Sequence, residues 1–366
     1  MLDFDHLSGG ANNKMIPLRS IILFAALACA SASAAESADD KKTAPLFRSH
    51  DVLEITINAP IKQLMRDRPD SEYLQGTLSY EDPEAGETTL DIGIRTRGRF
   101  RRQTDVCPFA PLRLNFRKTK GTLFAKSDKL KMVTHCRNGS KIYTQAILKE
   151  YLAYRILNTL TESSFRVRLL HVTYVDNTKG KVVDTNYAFL IEHRDQLSKR
   201  IGREVSRAES TVVSALDGQE TNISSVFQYL IGNTDFSPIK GVPGEPCCHN
   251  YVLLAGGESK MLSIPYDFDV TGIVDAPYAV PNPRFRLRNV KDRLYRGRCV
   301  NNEYLDSTLQ LFRDKQEAIY DLVNSDSVPG LSSRSIKTTR RYIDEFYATI
   351  DSPKRVERYI VDKCLR

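Results

Sequence analysis

Residues 226–272 read VFQYLIGNTDFSPIKGVPGEPCCHNYVLLAGGESKMLSIPYDFDVTG, and the rest of the chain is best understood outward from them. The apolar spacing of 226–231 predicts a helix that stops at Gly232, where a polar loop opens. Residues 251–254 read as a strand, Gly256 and Gly257 as a turn, and the next strand runs into Pro265-Tyr266-Asp267-Phe268-Asp269. Asp235, Asn250, Asp267 and Asp269 therefore sit at the loop ends of apolar elements. Each alone is an ordinary turn residue, because Asn and Asp bond their own backbone. As an ordered set they match what phosphoryl transfer requires. One carboxylate orients the attacking hydroxyl, while an amide and a further carboxylate hold the metal ions that bridge the phosphates.

Upstream, residues 50–58 alternate as a strand, 61–66 as a short helix, and 73–80 and 88–97 as two more strands around the turn-rich EDPEAGE. If the last of these runs on, Arg95, Arg97, Arg99 and Arg101 share one face, with Gly98 allowing close backbone approach to a ligand. A charged edge strand guarded against aggregation would look the same. Residues 143–160 carry the strongest helical stripe, with Glu150 at its edge. Residues 165–174 and 181–191 form a hairpin ending at Glu192, after which 193–201 read as a helix and 202–221 as a polar loop or insert. Helices are expected over 303–323, 333–350 and around 353–363.

These motifs resemble the spore coat protein H (CotH) kinase-like family, whose signature is GN-x-D, an Asn-led strand and P-x-D-F-D. The chain has GNTD at 232–235, HNYVLL at 249–254 and IPYDFD at 264–269, with Arg97-Gly98, PLRLNF at 111–116 and LIE at 190–192 in matching order. The resemblance implies an α+β, two-lobed, protein-kinase-like fold: an antiparallel-sheet N-lobe over 35–192 and a helix-rich C-lobe over 193–366. It implies a phosphotransferase using ATP or another nucleotide with Mg²⁺ or Mn²⁺. Asp235 would be the catalytic base, and Asn250 with Asp267 or Asp269 the metal ligands. Arg97, Gly98, Arg113 or Lys131, Glu150 and Glu192 would line the nucleotide site. Two departures stand out. GVPGEPCC at 241–248 lengthens the gap between Asp235 and Asn250, and the strand expected to supply a nucleotide-binding lysine offers Arg113, with Lys129 and Lys131 on the next. Arginine binds phosphate as a planar fork and lysine as a point charge, so the two do not interchange freely.

Residues 1–34 read as a secretory signal: Lys14 and Arg19, an apolar run over 21–28, then small residues with an Ala-x-Ala site at 32–34. Met15 is an alternative start, and a lipid-bearing Cys29 is the less favoured reading. The apolar run is too short for a stable membrane span. Export would leave six of the seven cysteines, an even number suited to disulfides: one bridge from Cys107 to Cys136, and two among Cys247, Cys248, Cys299 and Cys364, with the adjacent pair going to different partners. His135 and His249 lack zinc-site spacing and read as loop histidines.

The net charge of +8 is concentrated in RTRGRFRR at 95–102 and in the arginine-rich loop 284–298, without a nucleic-acid-binding motif. Phosphate groups or acidic polymers fit better than nucleic acid. The phosphoryl acceptor, whether protein, glycan or small molecule, is left open. No G-x-S-x-G elbow, Walker loop or dinucleotide fingerprint is present. Two rivals remain: an exported surface or envelope binding protein that has lost catalysis, and a purely structural envelope protein.

Overall fold

Leu53, Ile55, Ile57 and Ala59 are buried in alternation with more exposed neighbours, which makes β1 (Leu53–Ala59) a strand with one face in a core. The short helix α1 (Ile61–Asp67) follows, then β2 (Leu74–Asp82), β3 (Gly86–Thr96), β4 (Leu112–Phe116) and β5 (Lys129–Val133). The long helix α2 (Lys141–Leu160) leads to the hairpin β6 (Val167–Asp176) and β7 (Lys181–Ile191). The computed structural model describes residues 42–366 apart from 83–84, 243–246 and 257–258, so the signal segment, Met15 and Cys29 lie outside the described residues.

The seven strands close into a barrel in the order β1-β2-β3-β4-β5-β7-β6. Neighbours are antiparallel except β1 and β6, which pair in parallel from Leu53↔Leu170 to Ala59↔Asp176. This closure overturns the expected two-lobed, kinase-like fold with an antiparallel-sheet N-lobe: the sheet is mixed and has no free edge. The physical reason lies in β1. With β2 on one side, its other row of N–H and C=O groups would face water or a loop, and β6 satisfies that row along its full length. Ile57, Leu78, Ile94, Leu114, Leu130, Val172 and Leu190 are among the side chains filling the interior.

After the barrel come α3 (Arg194–Ile201), β8 (Glu204–Val205), α4 (Gly218–Ile231), β9 (Tyr251–Gly256) and β10 (Ser259–Pro265), the last two strands joining β8 in a small sheet. Helix α4 begins well before residue 226, because the Asp217 carboxylate accepts from the Glu220 N–H at 2.9 Å and caps it. The polar stretch before it is therefore shorter than expected. The first tail helix divides into α5 (Leu305–Asp314) and α6 (Gln316–Asp321), followed by α7 (Ser333–Ile350) and α8 (Pro353–Tyr359). These helices share one apolar cluster with α2, α4 and residues 262–276. Helix α2 is central to it, and Glu150 lies buried at 1% exposure, not at a solvated edge.

Cys107 pairs with Cys136 as expected, with Cα atoms 4.6 Å apart. The adjacent cysteines do not take different partners: Cys247 is bonded to Cys248, and Cys299 to Cys364. The C-terminal residues explain this. The Cys299 N–H donates to the Leu365 carbonyl at 3.0 Å and the Leu365 N–H to the Gly297 carbonyl at 2.8 Å, which brings Cys364 to Cys299. Among the described residues no helix is long and apolar enough to cross a membrane.

Candidate functional site

The acidic stretch that follows β10 is set by an aromatic anchor. Phe268 is fully buried, its ring 4.5 Å from Tyr154 on α2 and 5.3 Å from Phe227 on α4. Asp267 takes a left-handed conformation (φ 66°), and its N–H donates to the Tyr154 hydroxyl at 2.8 Å. The carboxylates on either side of Phe268 thus have different surroundings: Asp267 is 38% exposed and Asp269 only 9%.

Arg101 joins both to α2. Its Nη1 reaches Glu150 Oε2 at 3.3 Å, its Nη2 Asp267 Oδ1 at 3.5 Å, and its Nε Asp269 Oδ2 at 3.1 Å. One guanidinium shared among three carboxylates cannot neutralise all of them. Burial raises Glu150 to about 8 despite Arg101, with Asp269 and Asp267 adding to the shift. Burial likewise raises Asp269 to about 6, with Arg101 and Tyr278 opposing it and Asp267 and Asp235 reinforcing it. Near neutral pH the cluster therefore retains a proton, chiefly on Glu150.

Asp235 stands beside this cluster at the end of α4. His249 Nε2 lies 2.8 Å from its Oδ1, while Asn250 Nδ2 donates to its carbonyl at 2.7 Å and to its Oδ2 at 3.3 Å. Asn250 is also left-handed (φ 56°), and its carbonyl accepts from the Tyr266 N–H at 3.0 Å. That bond places Asn250 next to Asp267, although fifteen residues separate it from Asp235. Residues 243–246 of the intervening stretch lie outside the described residues.

A positive row crosses the barrel strands toward the same place. Arg95 is opposite Arg113 between β3 and β4, and Arg113 opposite Lys131 between β4 and β5. Like charges facing each other across a sheet are unfavourable unless an anion intervenes. Lys131 is lowered to about 8, by burial first and then by Arg97 and Arg113, with Asp267 opposing. Its Nζ rests 4.4 Å from the Tyr266 ring centre. Arg113 and Lys131 open onto a cavity of about 220 Å³ with apolar walls from Phe165, Ile191, Val252 and Tyr266, rimmed by Glu192, His193 and Arg194. Tyr266 thus joins the cavity to Asp267.

Asp235, Asn250, Asp267, Asp269 and Glu150 come together, and Arg97 belongs to the same charge group: burial lowers it and Asp267 and Glu150 raise it. Glu150 pairs with Arg101. Glu192 rims the cavity, but its carboxylate is held by Arg200 at 3.1 and 2.9 Å. Gly98 has φ +84° with open space around its α-carbon, so its conformation and no close approach calls for glycine. Because β3 ends at Thr96, the arginines beyond it do not share one face: Arg99 is exposed and Arg101 buried. Arg101, expected on a shared arginine face, and His249, expected as a loop histidine, both join the acidic cluster instead; the signals were the RFRR run and the histidine directly before Asn250.

Among the described residues no three His, Cys, Asp or Glu side chains close on a common point to hold a metal ion. A dedicated protein cage is not what Mg²⁺ needs, since it commonly takes one or two carboxylates plus substrate phosphates. Asp267 and Asp269 with the amide oxygen of Asn250 supply such hard oxygen donors, and buried Glu150 Oε1 has no hydrogen-bond partner. The donor set fits that class of ion. Compared with known proteins, the chain matches no family model and no curated protein.

Proposed function

We propose that this protein is an exported phosphotransferase that moves the terminal phosphoryl group of a nucleotide to a hydroxyl acceptor. The observation that carries the reading is the adjacency, through Tyr266, of an apolar slot lined by Arg113 and Lys131 to the Asp235–Asn250–Asp267–Asp269 cluster. The slot suits a flat base, with the phosphates directed past Lys131 and Arg97. A divalent ion held by Asp267, Asp269 and the Asn250 amide oxygen would neutralise phosphate charge. Asp235, oriented by His249 and Asn250, accepts the acceptor's proton at its more loosely held Oδ2. The acceptor oxygen bonds to the terminal phosphorus. The bond from that phosphorus to the bridging oxygen breaks, and its electron pair leaves with the nucleoside diphosphate. The motif resemblance to the CotH kinase-like family supports the same chemistry, and the three disulfides are compatible with export.

A second reading is favoured by Arg101. By engaging all three carboxylates it competes with a metal ion, as expected of a protein that binds a ligand without transferring a group. Asp235→Asn separates the two readings. Under the first, transfer from ATP with Mn²⁺ to a hydroxyl-acceptor panel falls by about 10²–10⁴-fold while nucleotide binding persists. A wild-type protein that binds nucleotide but turns over none of the panel supports the second.

A further inference from the structure

The arginine-rich loop 284–298 reaches Asp235 by a specific route. Arg296 Nη1 donates to the carbonyls of Thr234 at 2.7 Å and Phe236 at 2.8 Å, the residues on either side of Asp235. Its guanidinium also lies against two rings, 4.7 Å from the centre of Phe236 and 4.6 Å from that of Phe285. Phe285 belongs to the short turn Pro283–Phe285, which the Asn282 side chain caps by accepting from the Arg284 N–H at 3.1 Å. Docking of Phe285 on Arg296 therefore fixes the turn next to Asp235 and sets its flanking residues, Arg284 and Arg286, in solvent. Burial first, and then Arg284, lower the proton affinity of Arg296, while Tyr251 and Asp235 raise it.

Neither Arg284 nor Arg286 has a side-chain hydrogen bond or ion pair among the described residues, whereas nearby Arg288 is paired with Asp292 and Arg293 with Glu345. Two arginines thus flank a ring that rests on Arg296, which in turn holds the residues on either side of the proposed base, and their charges are uncommitted. We infer that this turn is the acceptor-docking surface, and that the acceptor is an acidic peptide segment whose serine or threonine hydroxyl is flanked by carboxylates. Both arginines are exposed, so charge complementarity selects an acidic segment, and two guanidiniums bind carboxylates through paired N–H donors. The inference rests on the proposed transfer reaction for its meaning and on the turn's own geometry for its binding prediction.

The test uses the full oxidised protein and a fluorescently labelled peptide carrying one serine between glutamates, with a lysine-flanked peptide as control. Binding by anisotropy and phosphoryl transfer from Mn²⁺-ATP are measured for wild type and for Arg284→Glu/Arg286→Glu, whose exposed positions leave folding intact. Wild type should prefer the acidic peptide, and the double variant should lose about tenfold or more of that affinity. Nucleotide binding should be unchanged. Equal binding of the acidic peptide by both proteins, or preference for the basic one, overturns the inference while leaving nucleotide transfer standing. Acidic-peptide binding that needs the arginines, in a protein that transfers nothing, upholds the surface and sinks the proposed reaction. Stronger arginine-dependent binding of a uronic-acid oligosaccharide would overturn the peptide assignment.

Discussion

Replacing Arg101 with methionine tests how the acidic cluster is held together. The guanidinium is 6% exposed and is shared by Glu150, Asp267 and Asp269. Methionine fills much of the same volume but leaves buried carboxylates without a counter-charge, a change that typically costs about 3–5 kcal/mol. The cost depends on pH. Glu150 and Asp269 have folded-state values raised to about 8 and about 6, so their contribution to stability is fullest below the ordinary carboxyl range and is lost as pH rises through those values. At pH 5 both hold protons and ask little of Arg101. At pH 8.5 it faces both of their charges. Urea unfolding of wild type and Arg101→Met at both pH values should show a difference of roughly 3–5 kcal/mol at pH 8.5, shrinking to about 1–2 kcal/mol at pH 5. Mn²⁺ should restore more stability to the variant than to wild type, because the ion can take the place of the missing charge. A difference that is the same at both pH values, or below about 1 kcal/mol at pH 8.5, would refute the shared-guanidinium account.

Other outcomes follow from the same geometry. Lys131 is lowered to about 8, so its charge is lost as pH rises through that value; nucleotide affinity measured by calorimetry should fall between pH 7 and 9, and Lys131→Arg should flatten the profile. Removing the Cys299–Cys364 bridge, which spans a sequence separation of 65, should cost about 4 kcal/mol in denaturant unfolding and free the C-terminal residues to exchange amide hydrogens.

Sequence periodicity made most single elements legible. Alternation at Ile55 and Ile57 marks β1, although Leu53 and not Val52 is the buried residue before them; the apolar stripe marks α2, and the strand pair leading to Asp267 lies where the pattern puts it, its second strand stopping at Pro265. Closure of the barrel was not legible, because the parallel match of Leu53 with Leu170 joins segments more than a hundred residues apart and leaves no local signature. Arg101 escaped for a different reason. Its place was inferred by extending β3, but the strand stops at Thr96 and the positive φ of Gly98 turns the chain, so alternation no longer governs where it points. His249 has the sequence context of a loop histidine, and only the folded chain brings its ring within 2.8 Å of Asp235. Cysteine pairing depended on the register of Leu365 against residues 297–299, which a count of cysteines does not contain.

Calorimetric titration of ATP into wild type and Asp267→Asn, each with and without Mn²⁺, tests whether Asp267 joins the proposed nucleotide site to the proposed metal-dependent transfer site. Wild type should bind saturably and at least about tenfold more tightly with Mn²⁺, and the variant should lose that metal-dependent gain. Absence of ATP binding by wild type under either condition, or an Mn²⁺ gain that survives the substitution intact, would contradict that role for Asp267.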